Sequence, residues 1–247
     1  MPAWLAYAAV IALYAAALVA AFAGLGTDWN WRVIWDYRVT FVAGWLTTLL
    51  VSAAALAAST AIGLAAALAL GSRAVLLRAA ARVYVEVVRG TPLLVQILVG
   101  WYVIAAALRM GNDWRYPVGI AVLSLFSGAY MAEIFRAGID AIPRGQIDSA
   151  RAIGLTPGQT TRLVVLPQAV RIVLPAMAGQ LASLVKDSSL LYVIGIAEFT
   201  YVARNANVAS LSTLECYLPL AVGYLLLTLP LSACSRWLER RFRYEAA

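Results

Sequence analysis

The sequence predicts an all-α polytopic membrane protein with about six transmembrane helices, and three observations support this class. Of the 247 residues, 63% are hydrophobic and 13% are charged, whereas soluble domains are about half apolar and about a quarter charged. Several apolar stretches reach or approach the roughly 20 residues that an α-helix needs to cross a bilayer. Most of the 19 cationic residues stand at the ends of these stretches, where the positive-inside rule places them.

The composition also argues against several functions. The formal charge of +7 is not gathered into a basic stripe, so nucleic-acid binding is not expected. The chain contains no histidine, which argues against a transition-metal site and histidine-based catalysis, and we expect no metal and no cofactor. The sequence lacks the Gly-x-x-x-x-Gly-Lys-Ser/Thr pattern of a nucleotide-binding loop. Cys216 and Cys234 fall in one predicted helix about 27 Å apart, too far for a disulfide.

Hydropathy divides the chain into six predicted spans. The first lacks charge; a cleaved signal segment is the alternative for it, but no cationic residue precedes Arg32. In the second span, Gly44, Ser52 and Gly63 are small residues that permit close helix packing. The spans are 3–25, 41–70, 92–108, 118–135, 170–196 and 216–237.

Local signals refine these boundaries. Residues 26–40 contain three tryptophans and a tyrosine, which suits an interfacial aromatic belt or a short amphipathic helix on the membrane surface. Thr91 and Pro92 predict the start of the third span, with threonine as the N-cap and proline at the first helical position. We expect Pro175 and Gly179 to break the fifth span.

Arginine predicts the orientation, since thirteen arginines lie on one side of the predicted topology and five on the other. The positive-inside rule places the richer side, together with both chain termini, in the cytoplasm. The richer side consists of the loops 71–91 and 134–171 and the tail 236–247, and the poorer side of the loops 26–40, 109–117 and 197–215.

The longest polar interruption of the apolar sequence is the stretch 146–167. A first short helix runs from about residue 147, with Asp148 in its first turn, to Gly154, which suits the position after a helix end. A second starts at once, because Thr156 at the N-cap and Gln159 three residues later form a capping box. We expect Pro167 to end it. Two capped helices joined by a tight turn predict a rigid docking element outside the membrane.

This element resembles the cytoplasmic EAA loop of ABC importer permeases, which docks onto the ATPase. The match consists of Ala150, Gly154 and the pattern Val164-x-Leu166-Pro167. In place of the namesake Glu-Ala-Ala the chain has Asp148-Ser149-Ala150, which keeps an acid and small residues. The flanking stretches 89–96, 127–136 and 186–190 resemble those of the polar amino-acid importers, of the histidine, glutamine and glutamate type, and occur in family order.

The resemblance implies a type I importer core of five helices after an N-terminal span, with segments 1–39 and 40–247 and a coupling loop at 137–169. It implies a multi-pass protein of the cell inner membrane that is a transport subunit and not an enzyme. The expected partners are an ATPase dimer on the cytoplasmic side, a periplasmic or lipid-anchored amino-acid-binding protein, a second permease and membrane lipid. Which amino acid is carried, and whether the second permease is a copy or a paralogue, stays open. A stand-alone secondary transporter or channel is the alternative, but it would need inverted repeats, which we do not find.

Two sets of site residues follow. The resemblance implies ATPase coupling through Asp148, Ser149, Ala150, Gly154, Leu155, Leu166 and Pro167. Polar side chains inside predicted spans are candidates for the translocation path: Gln96, Ser127, Tyr130, Glu133, Gln180, Lys186, Asp187, Ser188 and Ser189.

Each path candidate has a structural alternative. Gln96 can hydrogen-bond a neighbouring helix. Lys186, the only lysine in the sequence, and Asp187 point about 100° apart on a helix, so each needs another partner. We expect this segment to line the path near Tyr130 and Glu133, with a satisfied polar network that locks helix packing as the alternative.

Overall fold

All regular secondary structure is helical in the computed structural model, which describes residues 3–23 and 29–242. Parts of the predicted span 3–25 and loop 26–40, and the predicted tail residue Arg243, lie outside the described residues. The helices are α1 (Ala3–Ala23), α2 (Arg32–Asp36), α3 (Arg38–Leu70), α4 (Val75–Gly90), α5 (Leu93–Leu98), α6 (Arg115–Asp140), α7 (Arg144–Ala152), α8 (Pro157–Thr160), α9 (Leu166–Asp187), α10 (Phe199–Ser210) and α11 (Thr213–Phe242). Two π-helical segments, Val99–Ala105 and Thr161–Val165, and two 3₁₀ segments, Asn112–Trp114 and Ser188–Ile194, extend them.

The described residues contain four stretches that are long and apolar enough to cross a membrane, Arg38–Leu70, Asn112–Asp140, Pro157–Ile194 and Thr213–Phe242. A fifth is present if the bent pair of α4 with the stretch Leu93–Ala105, which meet at 107°, forms one span. These five stretches match the core spans predicted from hydropathy. Helix α1 forms over 21 residues as expected, but it is not among them, so its crossing of the membrane stays a prediction.

Helices α3 and α6 pack closely along their length, because small residues remove the side chains that would separate them. Gly63 of α3 lies against Met131 and the backbone of Gly128 in α6, as the small residues of this span predict. Beside this contact, Val51, Leu123 and Leu184 join α3, α6 and α9 in one buried apolar cluster. The polar candidates of α6 and α9 are therefore held on a packed scaffold.

The prediction of a loop at 71–91 is wrong, because most of these residues form the helix α4. Arg78 and Arg82 are exposed, while Ala81 and Val85 are buried against α3 and α6, which is the pattern of an amphipathic helix. The predicted cap is also wrong. Thr91 does not start α5; its hydroxyl donates to the Val87 carbonyl at 2.9 Å and so closes α4.

Pro167 does not end a helix, which corrects the second half of the predicted docking element. Helix α8 continues through the π-helical segment Thr161–Val165 into α9. Proline lacks an N–H and its ring clashes with the carbonyl four residues earlier, and the wider π turn accommodates it. Pro175 and Gly179 do not break α9 either; the change to 3₁₀ geometry comes after Asp187.

The prediction of a loop at 197–215 is wrong as well, since these residues contain the twelve-residue helix α10. Its N-cap is Glu198, whose carboxylate accepts the N–H groups of Thr200 at 2.8 Å and Tyr201 at 2.7 Å. Glutamate is not among the common N-cap residues, so no sequence pattern indicates this helix start. The short helix predicted as one option for the aromatic loop is present as α2.

Candidate functional site

The turn between α7 and α8 is the centre of the predicted coupling element. Gly154 has a φ of +89°, the left-handed conformation that glycine adopts without steric cost. The Leu155 N–H donates to the Ala150 carbonyl at 3.2 Å and the Gly154 N–H to the Arg151 carbonyl at 2.9 Å. These two bonds form a Schellman motif, which confirms Gly154 as the residue that stops α7.

Helix α8 begins with the predicted capping box. The Thr156 hydroxyl accepts the Gln159 N–H at 3.4 Å, and the Thr156 N–H donates to the Gln159 side-chain oxygen at 2.9 Å, with Pro157 at the first helical position. Both helix ends at this turn are thus satisfied by the chain itself. The turn needs no neighbouring element to keep its shape.

The coupling candidates divide into an inward and an outward group. Ala150 is buried and Leu155 is half-buried, whereas Asp148, Ser149, Gly154, Leu166 and Pro167 are exposed. Sequence reasoning missed Ile153, which is 80% exposed beside the turn. A cavity of about 430 Å³ lies under it, lined by Gln146, Ser149, Leu155 and Val164 among others. An exposed isoleucine over a shallow cavity, flanked by polar residues, is suited to contact another protein.

Helix α7 is fastened to the start of the long span. The Gln168 amide donates to the Gln146 side-chain oxygen at 2.6 Å and to the Val164 carbonyl at 2.9 Å. Gln146 and Gln168 stand 22 residues apart in the sequence, so no local pattern indicates this pair. The contact joins α7 to α9.

Two path candidates of α6 converge on a residue that sequence reasoning did not select. Arg89, at the end of α4, forms an ion pair with Glu133 at 3.3 Å. Its guanidinium also lies 5.2 Å from the centre of the Tyr130 ring, within the range of a cation–π contact. A cavity of about 340 Å³ adjoins the pair and is lined by further charged side chains, Arg82, Glu86 and Arg136. The one sequence signal for Arg89 was its position as the first residue of the stretch 89–96.

The segment predicted to lie near Tyr130 and Glu133 makes no polar contact with them. In the described part of the chain, the side chains of Lys186 and Asp187 have no hydrogen bond and no ion pair within 4 Å. Lys186 is exposed, Asp187 is half-buried, and buried Ser188 donates to the Val185 carbonyl at 2.8 Å. The described part of the chain therefore does not form the predicted satisfied network around Lys186 and Asp187, and their side chains remain available to water or another chain.

The remaining candidates connect helices. The Gln180 amide donates to the Ser127 hydroxyl at 3.2 Å, which links α9 to α6. The Gln96 amide donates to the Val88 carbonyl at 2.7 Å and the Thr91 hydroxyl at 2.8 Å. Gln96 thus satisfies the end of α4 at the sharp bend, which is the structural alternative stated for it. Ser189 is half-buried. Among the described residues no group of three acidic or cysteine side chains could hold a metal ion.

A further polar site lies at the opposite end of the bundle, in the linker before α10. Glu198 has no exposed surface. Burial raises the pKa of its carboxyl from 4.5 to about 7, although the N–H groups of Thr200 and Tyr201 and the Tyr224 hydroxyl partly offset this. The Tyr224 hydroxyl donates to the carboxylate at 3.0 Å, so α11 contacts the cap of α10. This acid was not among the predicted site residues.

Comparison with known proteins identifies the family. A family model described as "Binding-protein-dependent transport system inner membrane component" matches residues 59–244. The glutamine transport system permease protein GlnP of Escherichia coli (strain K12) is 35% identical over 219 residues, which cover 87% of this chain and 99% of GlnP. The probable glutamine ABC transporter permease protein GlnM of Bacillus subtilis (strain 168) is 34% identical over 213 residues, covering 86% of this chain and 97% of GlnM.

Solved structures agree. A crystal structure of an amino acid ABC transporter with histidines has a TM-score of 0.81 at 33% identity and covers 87% of this chain and 100% of its own. An inward-facing structure of the MetNI methionine ABC transporter has a TM-score of 0.69 at 18% identity, covers 85% of this chain and 99% of its own, and supports the fold alone. Together with the matched family model and the relatives above 30% identity, these similarities show that the chain belongs to the inner-membrane permease family of binding-protein-dependent ABC importers.

Proposed function

We propose that this permease moves a polar amino acid from a binding protein outside the membrane into the cytoplasm. Two relatives are named for glutamine transport, which supports this substrate class. The observation that carries the proposal is the α7–α8 turn, a self-capped element that exposes Gly154 and Ile153. A transporter without an external motor has no need of such an element.

The proposed partners follow from this arrangement. An ATPase dimer on separate chains docks in the cytoplasm on the coupling loop 137–169, through Asp148, Ser149 and Gly154 on the exposed side, while Leu166 and Pro167 lie where the loop rejoins the span. The binding protein docks on the opposite side, and a second permease, either a copy or a paralogue, completes the pore. Both chain termini are cytoplasmic. Segment 1–39 adds a peripheral span to the transport unit 40–247.

Force passes from the ATPase to the membrane through covalent and hydrogen-bonded connections. When ATP draws the ATPases together, α7 moves with them. The Gln146–Gln168 contact at 2.6 Å and the unbroken helical path Pro157–Ile194 transmit the displacement into the bilayer. A rigid element transmits such a displacement better than a flexible loop, and coupling requires two arrangements that both sites bias.

The proposed path runs along α6 and the end of α9. Arg89 and Glu133 present opposite charges 3.3 Å apart, which complement the carboxylate and ammonium groups of an amino acid. Ser127 and Gln180 offer further hydrogen-bonding groups between the helices. The side chains of Lys186 and Asp187 form no hydrogen bond and no ion pair within 4 Å in the described chain. They face the path or the second permease, and Ser188 and Ser189 adjoin them.

Reconstitution tests the function. We expect proteoliposomes with the ATPase and binding protein to accumulate glutamine only with ATP, and depletion of ATP should abolish uptake while an imposed proton gradient persists. Uptake that follows the gradient without ATP would contradict the proposal and favour a secondary transporter.

A charge-matched pair tests the path. Glu133→Gln and Asp140→Asn each remove an ion pair of 3.3 Å on α6, with Arg89 and Arg136 respectively. Only Glu133→Gln should reduce uptake, by about tenfold or more, while both complexes still hydrolyse ATP. Lys186→Met with Asp187→Asn should likewise leave an assembled complex with impaired uptake. Normal uptake in Glu133→Gln would remove this residue from the path, and lost assembly in the double variant would favour a structural role there.

A further inference from the structure

An open pocket of about 650 Å³ separates the cytoplasmic ends of α9 and α11 under the proposed topology. This volume is within the roughly 300–1,000 Å³ of ligand sites. Neither the coupling turn nor the proposed path includes it. Its charged lining residues are Arg171, Arg236, Glu239 and Arg240, and its apolar walls include Ile172, Pro175 and Phe242.

The pocket stands where both helices leave their apolar segments. No charged residue occurs in 172–185 of α9 or in 217–235 of α11, so Arg171 and Arg236 mark the two boundaries. The Ser235 hydroxyl donates to the Pro175 carbonyl at 2.8 Å, which aligns these boundaries side by side. The pocket therefore lies at the level where a bilayer changes from acyl chains to headgroups.

Neighbouring aromatic chemistry marks the same level. Trp237, one residue beyond Arg236, is 58% exposed, and the Arg241 guanidinium lies 5.7 Å from the centre of its ring. Exposed tryptophans are enriched at the membrane–water interface.

The cations of the pocket are not neutralised by the described part of the chain. Arg171, Arg236 and Arg240 form no ion pair there, although Glu239 is close by. Arg236 and Arg240 are four residues apart on α11, so their side chains lie on the same side of the helix. The repulsion between their like charges destabilises the helix. A bound anion would relieve this repulsion, and a phosphate suits it because guanidinium groups bind phosphate oxygens in pairs.

We propose that this pocket binds the headgroup of an anionic phospholipid of the cytoplasmic leaflet. The arginines contact the phosphate, and Ile172, Pro175 and Phe242 contact the glycerol and the first acyl carbons. Basic pockets between transmembrane helices on this side of a membrane are suited to such headgroups. The positive-inside rule alone would also place arginine here, but it would not distinguish the pocket arginines from Arg241.

The test uses native mass spectrometry of the full-length chain within its transporter complex, titrated in detergent with phosphatidylglycerol. Arg171→Gln and Arg236→Gln should each weaken binding of the most tightly held lipid by about tenfold or more, because each removes a hydrogen bond between a charged donor and the lipid phosphate. Arg241→Gln is the matched control, since it removes the same charge from the same helix end outside the pocket. It should leave this binding unchanged.

Four results would overturn the proposal. An equal loss of lipid binding in Arg241→Gln, or no loss in the pocket variants, would mean that general surface charge attracts the lipid. Competition by inorganic phosphate at the same concentration as the lipid would assign the pocket to a free anion. If a pocket variant lost the ATPase or the second permease from the spectrum but retained the lipid, the pocket would be a contact with that protein. The wild type alone also provides a test that does not depend on the stability of the variants. Phosphatidylglycerol must outcompete phosphatidylcholine for binding to it by at least about tenfold.

Discussion

Two helix starts at opposite ends of this permease use the same device in different surroundings. At the coupling turn, the exposed Thr156 side chain accepts the N–H of Gln159. Before α10, the wholly buried Glu198 side chain accepts the N–H groups of Thr200 and Tyr201. The first cap is completed within four residues of chain. The second also involves α3, whose Thr48 hydroxyl accepts the Phe199 N–H at 3.1 Å.

Under the proposed function, the difference separates a part that moves with a partner from a part that stays fixed. The coupling turn keeps its hydrogen bonds whatever its surroundings, so it can follow a partner as a unit. The junction before α10 is built from three elements. The centre of the Phe199 ring in α10 lies 6.0 Å from that of Phe41 in α3 and 5.8 Å from that of Tyr224 in α11. Movement there would separate buried polar and aromatic groups, so we expect this end to resist displacement.

The largest expected effect concerns the location of the two regions. In a chain whose Cys216 and Cys234 are replaced by alanine, Gln159→Cys should react with a membrane-impermeant thiol reagent only after the inner face is opened. Asn205→Cys on α10, also exposed, should react from outside. Ala206, which the loop prediction would suggest as the outer position, is buried and unsuitable. The reverse pattern would place the coupling turn away from any ATPase and reject the comparison.

A second prediction breaks the coupling turn. Gly154→Arg forces a side chain onto a φ of +89°, which costs about 1–2 kcal/mol, and adds bulk at the docking surface. A Cβ at this position meets no atom within 4 Å, so the chain should still insert. Substrate-stimulated ATP hydrolysis by the reconstituted complex should fall at least about tenfold.

The control for this change is Gly111→Arg in the predicted outer loop, where a Cβ also meets no atom within 4 Å but φ is not positive. It should keep near-normal hydrolysis. Normal stimulation in Gly154→Arg would reject the docking role, and loss of the folded protein would reduce Gly154 to a helix terminator.

A third prediction compares the two caps directly. Thr156→Ala should lower the free energy of unfolding by about 1 kcal/mol, the usual cost of losing an N-cap. Glu198→Ala should cost about 2–4 kcal/mol, because it also leaves buried donors without acceptors. Thermal unfolding of both variants in detergent measures the difference. Equal losses would mean that burial does not distinguish the two junctions.

The last prediction concerns pH. The folded pKa of Glu198, about 7, exceeds its usual 4.5, so the native state binds more protons than the unfolded state between these values. Stability should therefore fall as pH rises from about 4.5 to 7 and stay lowered above it. Tyr224 is the titratable group that contacts the carboxylate from α11. Glu198→Gln should flatten this part of the stability profile, measured as melting temperature from pH 5 to 8; an unchanged slope would assign it to other groups.

Much of this architecture could be predicted from short-range patterns. Apolar length located the five core spans, because a bilayer imposes the same requirement on every helix that crosses it. Gly154, Thr156 and Gln159 were assigned correct local roles, since their partners lie within five residues. The family resemblance, carried by residues such as Gly154 and Pro167, was confirmed by the comparisons.

The errors share one cause, which is that the deciding contacts are distant in sequence or depend on backbone adjustment. Pro167 was expected to end a helix, but a π-helical turn absorbs it. Helix α10 was missed because its glutamate cap is stabilised by burial against α11. Sequence reasoning could not decide between two roles for Gln96, because its hydrogen bond to the Val88 carbonyl depends on the bend after α4.

The sequence by itself thus determined the class of protein, the family, the core spans and the coupling turn, because these depend on hydropathy and on hydrogen bonds between near neighbours. Only the tertiary structure decided that Arg89 meets Glu133 and Tyr130, that Gln146 fastens α7 to α9, and that Glu198 is buried. Such contacts join residues from separate helices. Their distances are set by how the helices pack, and no local pattern encodes that packing.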